Sequence, residues 1–148
     1  GTKIAHYGSA SYTGRNESYD PDGEPWCAIF VSWCAEQADI RTNIIPKTAS
    51  STTSMNTFKN WGNFEYSSAH GGNYKPKVGD IFFLGTSTSS SSHTGIVVSV
   101  SSTTITVVDG NYSNKVSRHT YKLTDSSLVG YGTPSYGANT HKWITSGG

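Results

Sequence analysis

The chain changes its hydrophobic rhythm about half-way along. In Glu24-Pro25-Trp26-Cys27-Ala28-Ile29-Phe30-Val31-Ser32-Trp33-Cys34, apolar positions recur at three- and four-residue intervals, the signature of an amphipathic helix. Pro25 suits a first helical position, where its missing N–H and fixed φ cost nothing. A helix over about Pro25 to Ala38 is predicted, with Cys27, Phe30, Val31, Cys34 and Ala38 facing the core. Met55, Phe58, Lys59 and Trp61 predict a second short helix that Gly62 ends. From about Val78 the pattern becomes β. Ile81-Phe82-Phe83-Leu84 suits a buried strand, and the β-branched runs Gly95–Val100 and Ile105–Val108 predict a hairpin. Tyr121–Leu123 and Leu128–Tyr131 are further strand candidates. Thr86 to Ser92 is almost all Ser and Thr and predicts a mobile loop. A helix followed by a run of antiparallel strands is an α+β layout.

Composition narrows the field. The 148 residues (1–148) fit one domain with a proper core. It is expected to be cut from a longer protein and to carry appended residues at its ends, with any export signal outside this segment. Eleven basic and ten acidic residues leave a formal charge of +1, without the clustered basic face that nucleic-acid binding needs. No apolar run approaches the roughly 18 residues of a membrane span. Abundant Ser, Thr, Gly, Asn and Tyr suit an extracellular domain, and a monomer is expected.

Candidate chemistry starts at Cys27. Near the start of a helix, unpaired backbone N–H groups and the positive end of the dipole favour a thiolate, the nucleophilic form of the side chain. The alternative is a space-filling core cysteine. Cys34 lies seven residues on, a rise of about 10 Å along a helix. A disulfide needs Cα atoms within about 7 Å, so both thiols are expected to be free, with Cys34 filling the core. The spacing offers no metal pair.

A nucleophilic thiol needs a base, and the base an orienting acceptor. Of five histidines, His93 alone begins a strand directly after a flexible loop, the rim position a base requires. The returning strand ends in Asp109-Gly110-Asn111, so Asp109 or Asn111 is placed to accept from the imidazole. Strict alternation opposes this: if Ile96, Val98 and Val100 share a face with Ile105 and Val107, His93 and Asp109 point to opposite faces. A bulge, a strand-end twist or an odd-length connection would restore the match.

The Pro25–Ala38 segment resembles the opening motif of the CHAP family (cysteine, histidine-dependent amidohydrolases/peptidases). Pro76–Phe83, His93-Thr94-Gly95-Ile96-Val97, Val108–Ser113 and Gly130–Pro134 resemble its later motifs, in the same order. The resemblance implies a papain-like fold, with an N-terminal catalytic helix packed on an antiparallel sheet. It also implies hydrolysis of amide bonds in bacterial peptidoglycan, as an endopeptidase or an N-acetylmuramoyl-L-alanine amidase. Its catalytic set, carried over by position, is Cys27 as nucleophile, His93 as general base, and Asp109 and Asn111 as orienting groups. The family usually has Glu where Asp109 stands. Trp26, Tyr112, Tyr19 and Tyr12 are candidates for packing on sugar or stem peptide. No cofactor is required; Asp20 and Asp22 faintly resemble a calcium loop of some phage members. The implied location is extracellular, at the cell wall, or delivered to it by phage. Rival readings are a catalytically silent wall-binding domain of the same fold and an amidase acting on a non-wall amide.

Overall fold

The computed structural model describes residues 27–110 and 116–137. Helix α1 (Cys27–Gln37) and helix α2 (Ser51–Asn60) precede all the described strands. The strands are β1 (Phe64–Tyr66), β2 (Ile81–Leu84), β3 (His93–Val100), β4 (Thr104–Gly110), β5 (Val116–Lys122) and β6 (Leu128–Gly132), with a 3₁₀ turn at Ser68–His70. They form one sheet in the order β1-β6-β2-β3-β4-β5, with every neighbouring pair antiparallel. The α+β layout is thus the one expected.

Each face of the sheet carries its own apolar cluster, as alternation along a strand requires. Ile81, Phe83 and Val129 join Ile29, Phe30, Val31, Ala35, Met55 and Phe58 beneath the two helices. Phe82, Val97, Ile105, Val107, Leu128 and Tyr131 form the second cluster. Truncating a fully buried ring such as Phe83 costs about 3–5 kcal/mol, so the helix side of β2 anchors α1 firmly.

Both helices end in the same motif. Ile40 N–H donates to Ala35 O at 2.8 Å and Asp39 N–H to Glu36 O at 3.0 Å, with Asp39 at φ 59°. Asn63 N–H donates to Phe58 O at 2.9 Å and Gly62 N–H to Lys59 O at 3.0 Å, with Gly62 at φ 75°. These are Schellman closures.

The structure departs from the sequence expectations at the buried face of α1 and the start of α2, and adds features that the sequence did not signal. On α1 the buried residues are Cys27, Ala28, Ile29, Phe30, Val31, Ser32 and Ala35, whereas Cys34 is half-buried and Ala38 exposed. Ser32 can go inside because its Oγ donates to Thr48 O at 3.1 Å and accepts from Thr48 N–H at 3.2 Å. Helix α2 starts earlier than Met55, because Ser50 caps it by accepting from Thr53 N–H at 3.1 Å. Strand β1 had no sequence signal, being three residues long at the sheet edge. The Ser/Thr loop is fastened to α2: Ser51 Oγ and Thr52 Oγ1 donate to Ser91 O at 2.8 and 3.0 Å, and Lys59 Nζ donates to Thr88 O at 2.7 Å.

Candidate active site

The β3–β4 hairpin resolves the alternation problem with a bulge. Ile96 pairs with Val108 and Val97 with Val107, but then Ser99 pairs with Thr106 and Val100 with Ile105. Val98 is the extra residue. One inserted residue reverses the parity of everything beyond it, so His93, Gly95 and Val97 share a face with Val107 and Asp109. His93 Nε2–H donates to Asp109 Oδ2 at 2.9 Å.

Gly95 makes room for this contact. Continuing the register from Ile96↔Val108 places it opposite Asp109. A Cβ at Gly95 would lie 2.5 Å from Phe82 Cε1, 2.5 Å from Val108 O and 2.9 Å from Asp109 Cβ. The Phe82 ring meets the imidazole edge-on, with centroids 6.0 Å apart, and so limits its tilt.

Cys27 is the first described residue of helix α1, which packs over the sheet on the β3 and β4 side. The thiol is free and buried. It is close enough to act on the His93 ring, which therefore has a thiol and a carboxylate as neighbours. Burial alone would lower the imidazole's proton affinity. Hydrogen bonds to Asp109 and Cys27, with the charges of the same two groups, outweigh burial and raise its pKa from 6.5 to about 9. Such an imidazole can take a proton from sulfur and hold it.

Beside the thiol lies a cavity of about 350 Å³, lined by Cys27, Ala49, Ser50, Ser51, Thr52, Ser91 and Ser92. Its described lining holds hydroxyls and no charged side chain. The bonds from Ser51 and Thr52 to Ser91 tie its two walls together.

The structure thus brings Cys27, His93 and Asp109 together. Asn111, Trp26, Tyr112, Tyr19, Tyr12, Asp20 and Asp22 lie outside the described residues. Cys34 is free as expected, and burial pushes its thiol up to about 11. A second buried acid, Asp80, belongs to a turn: its Oδ2 accepts from Tyr74 Oη–H at 2.7 Å and Lys77 N–H at 2.8 Å. One neighbour escaped the sequence reading. His119 on β5 has its Nε2 3.6 Å from Asp109 Oδ1. The alternation Ser117, His119, Tyr121 opposite Asp109, Val107 and Ile105 is the signal that would have found it.

Among the described residues no helix is long and apolar enough to cross a membrane, and no three His, Cys, Asp or Glu side chains cluster to hold a metal. No curated protein matches the chain. Two solved structures resemble it in part. One is the crystal structure of Ly7917, with a TM-score of 0.48, 21% identity, and coverage of 76% of this chain and 54% of that one. The other is Ly7917 with the hydrolyzing product of MDP, with a TM-score of 0.49, 21% identity, and coverage of 76% and 55%. The chain spans about half the length of those structures. The family model for the CHAP domain matches residues 19–111, a span that contains Cys27, His93 and Asp109. The chain belongs to the CHAP domain family.

Proposed function

We propose that the protein is a cysteine-dependent peptidoglycan hydrolase that cleaves an amide bond of the bacterial cell wall. The observation that carries this reading is the 2.9 Å bond from His93 Nε2 to a fully buried carboxylate, with the Cys27 thiol near enough to raise the proton affinity of the same ring. Membership of the CHAP family supports the reaction class.

In this mechanism Asp109 occupies Nε2 and leaves Nδ1 for the thiol. His93 takes the Cys27 proton, and the resulting imidazolium is favoured by its raised proton affinity. The thiolate attacks the amide carbonyl carbon. The tetrahedral oxyanion accepts from the Cys27 backbone N–H at the start of α1. His93 then gives its proton to the leaving amine as the C–N bond breaks, which leaves a thioester on Cys27. Water, deprotonated by His93, hydrolyses the thioester, and the thiol regains its proton. Asn111 shares the orienting role with Asp109. No cofactor takes part in any step. The location that fits is the wall itself, reached by secretion or by phage delivery.

The test is digestion of purified sacculi by the protein and by Cys27→Ala. Release of soluble fragments by the parent alone establishes the enzyme, and mass spectrometry of the new N-termini tells amidase from endopeptidase. Equal binding by both proteins with no release would replace this reading with a wall-binding domain.

A further inference from the structure

The carboxylate that holds His93 has a second oxygen. Asp109 is fully buried, and among the described residues its Oδ1 has no hydrogen-bond partner. Leaving a buried carboxylate oxygen unpaired is costly. The His119 Nε2 stands 3.6 Å from it, slightly beyond a hydrogen bond and within reach of a small side-chain rotation. His119 is diagonal to Asp109 across the β4–β5 ladder, on the same face of the sheet. The Tyr121 ring, with its centroid 6.3 Å from that of His119, flanks it on the same strand.

We propose that His119 is a positioning residue: its Nε2–H occupies Asp109 Oδ1, so that one carboxylate is shared between two imidazoles and the grip of Asp109 on His93 is moderated. The inference rests on the reading of His93 as the base. A donor on Oδ1 draws charge away from Oδ2, so His93 feels less than the full pull of the carboxylate. The side chain of His119 is 47% exposed against 26% for His93, so the second imidazole also links the buried carboxylate to solvent. Among the described residues, the titratable groups facing this carboxylate are Cys27 on α1, through His93; His93 itself on β3; and His119 and Tyr121 on β5. Burial, and then the charges of Asp109 and Asp125, raise the Tyr121 phenol, so it stays neutral across the range in which His93 titrates.

The experiment follows the His93 ring by imidazole ¹⁵N NMR titration in the Cys27→Ala background, comparing His119, His119→Ala and His119→Gln. Thermal melting checks that each variant is folded. The His119→Ala midpoint for His93 is expected to rise by about half a pH unit. His119→Gln, which keeps an N–H donor but does not titrate, is expected to return it to the His119 value. With Cys27 present, the alkaline limb of kcat/KM on sacculi is expected to shift in parallel. A His93 midpoint that stays put or falls in His119→Ala overturns the proposal, as does a Gln variant that behaves like Ala. If the parent releases nothing from sacculi, the hydrolase reading falls, while the titration still decides the role of His119.

Discussion

Replacing Asp109 by Asn keeps the shape at the sheet face and removes the charge. An amide oxygen can still accept from Nε2–H, but the charge-assisted part of the bond is lost. His93 titrates at about 9 because two partners outweigh burial. With Asp109 neutral, Cys27 acts alone against an undiminished burial penalty, and the midpoint is expected to fall by about 2 pH units. At pH 8 the imidazole would pass from about nine-tenths protonated to about one-tenth, so kcat/KM should drop about tenfold from protonation alone. The linkage has a definite sign. A folded-state pKa raised from 6.5 to about 9 stabilises the fold fully below pH 6.5, and that stability is lost as pH rises through 9. Since the ring is about a quarter exposed, the part due to Asp109 is worth about 1–2 kcal/mol after solvent screening. Urea unfolding of the parent should therefore show stability falling between pH 6.5 and 9, and Asp109→Asn should flatten that slope. Imidazole NMR gives the midpoint directly. A His93 midpoint in Asp109→Asn within a few tenths of the parent value would refute the reasoning.

Three further outcomes are expected. Deleting Val98 removes the bulge and leaves a regular ladder in which Val97 still meets Val107 and Ser99 still meets Thr106; the protein should melt cooperatively and keep the raised His93 midpoint, and a lost midpoint would show that the bulge itself, not the register below it, joins the pair. Gly95→Ala drives a methyl to within 2.5 Å of Phe82 and the Val108 carbonyl, at a cost of about 1–3 kcal/mol, together with loss of activity on sacculi; a melting temperature equal to the parent's would contradict that crowding. Gly62→Ala meets no neighbouring atom but must hold φ 75°, so denaturant unfolding should show a loss of about 1 kcal/mol with unchanged kcat/KM; a neutral result would mean that the α2 closure relaxes at no cost.

The elements rich in apolar, periodic residues were legible from sequence: α1, β2 and the β3–β4 hairpin. The start of α2 was hidden because Ser51, Thr52, Thr53 and Ser54 are poor helix formers, and only a cap and tertiary packing hold that turn. Strand β5 is polar because it lies at the sheet edge, and so it left a faint hydrophobic trace and took His119 out of view. The meeting of His93 with Asp109 depended on a parity that composition does not encode. A bulge at Val98 leaves no mark in a run of β-branched residues, since Val97, Val98 and Val100 look alike in sequence whichever way they point.

That extra residue also splits the hairpin into two independently phased halves. The tip, where Val100 meets Ile105, keeps one frame; the base, where Val97 meets Val107, keeps another. The connection through residues 101–103 can therefore be lengthened, shortened or used to carry a graft without disturbing the proton-handling pair, because the register that aligns the pair is set further down the strand. Between Val98 and His93 no such freedom exists, and a single inserted or lost amino acid there would decouple the imidazole from its carboxylate.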